Sequence, residues 1–158
     1  AIEDEDFHPE TPLLPVSTLA SSRNQDLSVI IAAHNEQYCI ANVIQSAIRA
    51  CQQAQINYEL LVINDASTDN TKTIAQENNA CVIDVNNRNI SKNRNEGAKR
   101  AKHANLLFLD ADTIITARDI LRSLALLSSG ISLVGPYAKF DSHFPWKDRL
   151  CTSFMNVK

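Results

Sequence analysis

From Leu27 onward, short uninterrupted apolar runs alternate with longer stretches whose apolar residues recur every three or four positions. Runs of the first kind suit strands buried on both faces, and spacing of the second kind suits helices with one buried stripe. The runs predict strands at 27–33, 58–63, 80–85, 104–109 and 131–135. The spacing predicts helices over 37–54, through Ile40, Val43, Ile44, Ala47, Ile48 and Cys51, and over 69–79 and 91–103. Thr116 and Asp119 have the form of a capping box that opens a further helix ending at Gly130. Strand and helix in strict alternation imply right-handed crossovers and a mainly parallel α/β sheet with helices on both faces.

The two ends of the chain have a different texture. Residues 1–26 are acidic, then punctuated by Pro9, Pro12 and Pro15, then rich in Ser, which is the composition of a poorly ordered tail. Residues 137–158 mix Phe140, Phe144, Trp146, Leu150, Phe154 and Met155 with charge, either as an amphipathic segment or as ordinary packing against the sheet. The expected organisation is therefore a tail at 1–26, a core domain at 27–136 and the start of a further segment at 137–158. A first residue of Ala1 rather than Met suggests processing or trimming.

Composition narrows the class. Apolar content of 44% with 21% charged residues describes a soluble globular protein, and no apolar run approaches the ~20 residues that cross a bilayer. The four cysteines (Cys39, Cys51, Cys81, Cys151) show neither a C-x-x-C pair nor zinc-ligand spacing with His, which favours free thiols in a reducing compartment. The net charge of −3 conceals six acids against one base in residues 1–27, and six bases against one acid in residues 88–102. A confined basic segment in an acidic protein suits a small anionic ligand rather than nucleic acid. Ion pairs at i,i+4, Lys92–Glu96 and Glu96–Arg100, would account for part of that charge on a solvated helix face.

The candidate chemistry gathers where strands end. Leu106-Leu107-Phe108-Leu109 runs straight into Asp110-Ala111-Asp112. Alternation along a strand would put Asp110 and Asp112 on one face at its carboxyl end, where open α/β sheets hold their ligands. Two convergent carboxylates suit a hard divalent cation that completes its shell with substrate phosphates. The simpler reading is a turn that opens the next helix. Three more polar segments fall on the same edge: Ala33-His34-Asn35-Glu36, Asn64-Asp65-Ala66-Ser67-Thr68-Asp69, and Asn93-Arg94-Asn95-Glu96-Gly97. Ser67 and Asp69 suit helix capping as well as they suit function. Asp65 ends a buried strand and needs a partner, such as the N–H of a nucleobase.

Taken in order, V-I-I-A-A-H-N-E, V-I-N-D-A-S-T-D-N-T, R-N-E-G and F-L-D-A-D-T resemble the nucleotide-binding half of a family 2 glycosyltransferase of the GT-A fold, over roughly residues 28–136. The resemblance implies that Ala33, His34, Asn35 and Glu36 border the nucleoside and that Asp65 contacts the base. It implies that Arg94, Asn95 and Gly97 line the diphosphate region, that Asp110 and Ala111 meet the nucleotide, and that Asp112 with Asp110 holds Mn²⁺ or Mg²⁺. Ala32, His34, Asn64 and Ala66 stand where the family often has Pro, Tyr, Asp and Gly, and none of these removes a group the chemistry needs. The implied reaction is inverting transfer of a sugar from a nucleotide diphosphate-sugar, a UDP-sugar above all, to an acceptor hydroxyl.

Family members continue into an acceptor-binding half with an acidic general base, and residues 137–158 match neither its E-D nor its Q-x-x-R-W motif. The expectation is thus a GT-A domain without its acceptor half and without a catalytic base; Asp141 and Asp148 read as surface residues. Two other readings stand beside it: a non-catalytic nucleotide-sugar-binding module, and a nucleotidyltransferase, which the lack of Gly in Ala33–Glu36 disfavours. The expected location is cytoplasmic, either free or peripheral to the cytoplasmic face of a membrane, with self-association through Phe140, Phe144, Trp146 and Phe154.

Overall fold

The computed structural model describes residues 25–134 and 153–156. The expectations for the acidic tail, for the aromatic segment other than 153–156, and for Asp141, Asp148 and Cys151 lie outside the described residues. Strands β1 (Leu27–Ala33), β2 (Tyr58–Asp65), β3 (Cys81–Val85) and β4 (Asn105–Asp110) form a parallel sheet. The short β5 (Leu133–Val134) and β6 (Ser153–Asn156) extend it in the order β3-β2-β1-β4-β6-β5. β6 runs antiparallel to β4, pairing Leu107 with Phe154.

Each predicted strand up to β4 is present. β1 is buried almost throughout, as an apolar run between two helical layers must be. Helices α1 (Ile40–Ala54), α2 (Thr71–Glu77) and α4 (Ala117–Ser128) cover one face of the sheet. Their buried stripes, Ile44, Ala47 and Cys51 of α1 with Ile120, Leu124 and Leu127 of α4, meet Val29, Ile31, Val62, Leu107 and Leu109. Helix α3 (Ile90–Arg100) covers the other face, over Ile30, Leu61, Ile63, Leu106 and Phe108. The close seating of α3 depends on Gly97: a Cβ there would lie 2.3 Å from Ile30 Cγ2. Gly97 therefore has a packing role at this position.

Helix starts differ from expectation because the strand-end loops use the preceding residues. Glu36 to Cys39 form a turn in which the Glu36 carbonyl accepts from Cys39 and Ile40, so α1 opens at Ile40 rather than at 37. Asp69 Oδ1 accepts from the Thr71 N–H, delaying α2 to Thr71. The capping box of α4 is formed as expected: the Thr116 hydroxyl accepts from Asp119 N–H, and the Asp119 carboxylate accepts from Thr116 N–H. Among the described residues, no helix is long and apolar enough to cross a membrane.

Candidate functional site

The strand order reverses between β1 and β4. β2 and β3 build outward on one side of β1, and the chain then returns to lay β4 on the other. That switch point opens a crevice at the carboxyl ends, the place where doubly wound sheets bind ligands. Ala32 lies beside Asp110 in the register, Ala33 beside Asn64, and Asp65 beside Val85, so the polar segments meet along one edge.

On the β4 side, Asp110 ends the strand and its Oδ1 accepts from Arg94 Nη2 at 2.7 Å, both side chains being roughly a quarter exposed. The pair fastens α3 to the end of β4 and puts a guanidinium beside the crevice. Strand alternation stops at Asp110, because Ala111 and Asp112 form a turn in which Thr113 N–H donates to the Asp110 carbonyl. The turn, not the pleat, therefore places Asp112, which is exposed, while Ala111 is buried. Asp112 lies close enough to Glu36 to act on its charge. The Glu36 carboxyl is raised above its ordinary range first by burial, then by Asp112 and by Asp69, with His34 opposing. Acids from three loops thus converge, at an electrostatic cost, on one edge of the sheet. Among the described residues no set of three His, Cys, Asp or Glu side chains is arranged to hold a metal ion. Asp110 and Asp112 are the residues on this edge that could hold a hard cation, a kind that takes one or two carboxylates and completes its shell with phosphate oxygens.

The other side of the crevice is a hydrogen-bonded lattice of loops. His34 Nδ1 lies 2.6 Å from the Asp65 carbonyl, and Arg88 Nη1 lies 3.3 Å from His34 Nε2. A carbonyl only accepts, so Nδ1 carries the proton and Nε2 accepts from Arg88. Asn35 N–H donates to Ser67 Oγ, and Asn35 Oδ1 accepts from Thr68 N–H. Gln37 N–H donates to Asp69 Oδ2, and Glu36 N–H to Thr71 Oγ1. Ser67 and Asp69 therefore bind loop to loop, which is more than capping. Asn35, Ala66 and Arg88, one in each of three neighbouring loops, have left-handed backbones with φ of 57°, 50° and 48°. Such conformations in non-glycine residues persist where surrounding bonds over-determine them, and they cluster at functional sites.

The structure thus brings His34, Asn35, Glu36, Asp65, Arg94, Asp110 and Asp112 to one edge. Ala33 and Ala111 are there too, but both are buried, so what they offer a ligand is backbone. Asp65 is 3% exposed, and its carboxylate accepts from the protein's own groups. Sequence reasoning missed those donors, Asn87, Arg88 and Asn93. The available signal was that a carboxylate ending a buried strand must find hydrogen-bond donors. A separate groove of about 610 Å³ opens at the opposite end of the sheet, beside Tyr58, Leu61, Cys81 and Arg100, away from this constellation.

Fold and crevice together define a doubly wound α/β domain with a polar crevice at its switch point. The chain belongs to glycosyl transferase family 2, whose family model matches residues 28–156. It is 30% identical over 117 residues to the undecaprenyl-phosphate 4-deoxy-4-formamido-L-arabinose transferase of Proteus mirabilis, covering 69% of this chain and 36% of that protein. A transferase of the same name from Serratia proteamaculans is 29% identical over 121 residues, with the same coverage. The chain thus spans about a third of the length of these curated relatives. The same GT-A fold is present in S. aureus TarS 1-349, with a TM-score of 0.61 and 22% identity over 75% of this chain and 39% of that one. It recurs in M. tuberculosis glucosyl-3-phosphoglycerate synthase in complex with Mn²⁺, UDP and glucosyl-3-phosphoglycerate. There the TM-score is 0.62 and identity 22%, over 81% of this chain and 50% of that one.

Proposed function

We propose that this chain binds the nucleoside diphosphate of a UDP-sugar together with Mn²⁺ or Mg²⁺, as the donor half of an inverting glycosyltransferase. The observation that supports it most is the convergence of Asp110, Asp112 and Glu36 at the switch point beside Arg94. Acids that repel one another there favour a divalent cation, and phosphate oxygens would complete its shell. A bound cation would neutralise charge building on the departing diphosphate. Arg94, fixed by Asp110, adds a positive charge beside the same region. His34, Asn35 and Arg88 border the nucleoside end, with Ala33, Glu36 and Ala111 lining the floor between. UDP in M. tuberculosis glucosyl-3-phosphoglycerate synthase and UDP-GlcNAc in TarS, two structures of the same fold, support the choice of uridine donor. The undecaprenyl phosphate in the relatives' name points to a lipid-phosphate acceptor and to work at a membrane surface.

Titration calorimetry of UDP into the 158-residue chain tests the reading. Binding should strengthen by at least tenfold when Mn²⁺ is present and lose that gain on addition of EDTA. Affinity for UDP that ignores the metal would contradict it.

A further inference from the structure

The groove at the amino-terminal end of the sheet comes from a gap in strand cover. β2 pairs with β1 from Tyr58 onward, but β3, the outermost strand on that side, pairs with β2 only from Leu61. Among the described residues, no strand lies along the outer side of Tyr58 to Leu60. An uncovered strand edge is a template for a further segment of chain. Ile48 and Gln52 of α1 bound the groove on one face of the sheet, and Arg100 and Lys102, at and just past the end of α3, bound it on the other. Leu60, Leu61 and Ile83 make its wall apolar, and the exposed Cys81 opens into it.

The rim on the α3 side is basic. Lys99 and Arg100 share Glu96, and the Lys102 ammonium, on a side chain 80% exposed, lies 3.9 Å from Glu59. Glu59 is itself turned inward, where it accepts from Ser28 Oγ at 2.6 Å and from the Lys102 N–H. Three cations thus face two acids, one of them engaged inside, and exposed pairs of this kind exchange partners readily. The chain enters beside this rim. Leu27 opens β1 opposite Tyr58, and its N–H donates to the Asn57 carbonyl at 3.0 Å. Asp26 is held just before it: its carbonyl accepts from Asn105 Nδ2 at 3.0 Å, and its carboxylate lies 3.7 Å from His103 Nδ1. Residues 1–24 therefore join the sheet one strand away from the groove. Neighbouring strands lie about 4.8 Å apart, and an extended chain covers about 3.3 Å per residue, so a few residues bridge that distance. The same residues carry five acids (Glu3, Asp4, Glu5, Asp6, Glu10) and then Leu13, Leu14 and Val16. Acidic and apolar groups in that order complement a basic rim and an apolar wall.

We propose that residues 1–24 of this chain dock in the groove, with Leu13, Leu14 and Val16 beside Tyr58 and Leu60 and the acids of 3–10 paired with Lys99, Arg100 and Lys102. A composition that does not order alone can order on binding. Pro9, Pro12 and Pro15 reduce the entropy lost in doing so, since proline restricts the free chain as well. Attachment to β1 gives the segment an effective concentration on the order of mM, which favours it over a second copy or a separate peptide. Docked there, it covers the open edge of β2 at the end of the sheet opposite the crevice, and the proposal stands apart from the nucleotide reading.

Two measurements on the 158-residue chain test it. Carbodiimide cross-linking of a mixture of isotope-labelled and unlabelled protein reports which acids and lysines meet, and whether they share a chain. Alkylation of Cys81 by iodoacetamide, read peptide by peptide in a mass spectrometer, reports cover of the groove. Cross-links should run from the acids of 3–10 to Lys99 or Lys102 within single chains. Cys81 should react roughly tenfold more slowly in wild type than in the double variant Leu13→Asp, Leu14→Asp, as a tethered segment allows. Lys102→Glu should speed the reaction by about twofold or more through the lost ion pairs. That variant keeps the bond to Glu59, because the backbone N–H makes it. The buried Cys51 should stay unmodified throughout, which separates undocking from unfolding. Cross-links that join labelled to unlabelled chains overturn the proposal in favour of a second copy, and an absence of cross-links from the acids overturns it outright. So does a Cys81 rate equal to that of wild type in either variant.

Discussion

Asp65 shows how a single residue can be legible in position and illegible in role. The sequence places an acid at the end of a buried strand, and burial makes a partner obligatory. Which partner is a matter of three-dimensional closure, since Asn87 and Arg88 of the β3–α3 loop and Asn93 of α3 reach it from more than twenty residues away. Burial by itself would raise this carboxyl, but hydrogen bonds from Asn93, Arg88, Asn87 and Asn89 outweigh it. The lowered carboxyl pKa has a definite consequence for stability. The unfolded chain, with an ordinary value near about 3.9, takes up the proton first as pH falls. The stabilisation is therefore complete above that value and is lost as pH drops through the lower, folded value. The difference in unfolding free energy between wild type and Asp65→Asn should accordingly shrink as pH falls from about 5 toward 2. Urea denaturation across that range measures it, and a flat difference would mean that the anion is not what the loop holds.

At the scale of elements, periodicity was a good guide wherever a segment's burial is set by its own sequence. The strands β1 to β4 and the bodies of α1 to α4 follow from apolar spacing, and the Thr116–Asp119 cap is local enough to read directly. What escaped depends on remote partners. β6 is only Ser153–Asn156, a short mixed stretch that becomes a strand because β4 offers it an edge, and β5 shrinks to two residues against it. Asp112 was placed by strand alternation, but the strand had already ended at Asp110. Gly97 belongs to this scale as well, since it sets how closely α3 lies on β1. Gly97→Ala should cost roughly 1–3 kcal/mol through forced repacking against Ile30, less about 1 kcal/mol that alanine gains within a helix. A denaturation midpoint at or above wild type would show that α3 can shift outward freely. A net loss would confirm the close approach as the reason for glycine.

For the molecule as a whole, the proposed function centres on an arrangement of charge. β1 and β4 lie side by side at the reversal of strand order, and their loops carry Glu36, Asp110 and Asp112 to one edge, with Arg94 fastened to the second of them. The strand-end location of those acids was legible from sequence alone. The repulsion between Glu36 and Asp112, and the use of Arg94 to hold Asp110, needed the fold. The relatives extend to nearly three times the portion this chain covers, and acceptor recognition is accordingly proposed for the whole protein rather than for these residues. The most direct test is metal-dependent UDP binding by Asp112→Asn beside wild type. Asp112 lies in an exposed turn, so the variant should fold. Mn²⁺ should strengthen UDP binding to wild type, and the variant should lose most of that enhancement, roughly 2 kcal/mol as for a hydrogen-bonded charged partner. An Mn²⁺ enhancement in Asp112→Asn equal to that of wild type would contradict the proposed function.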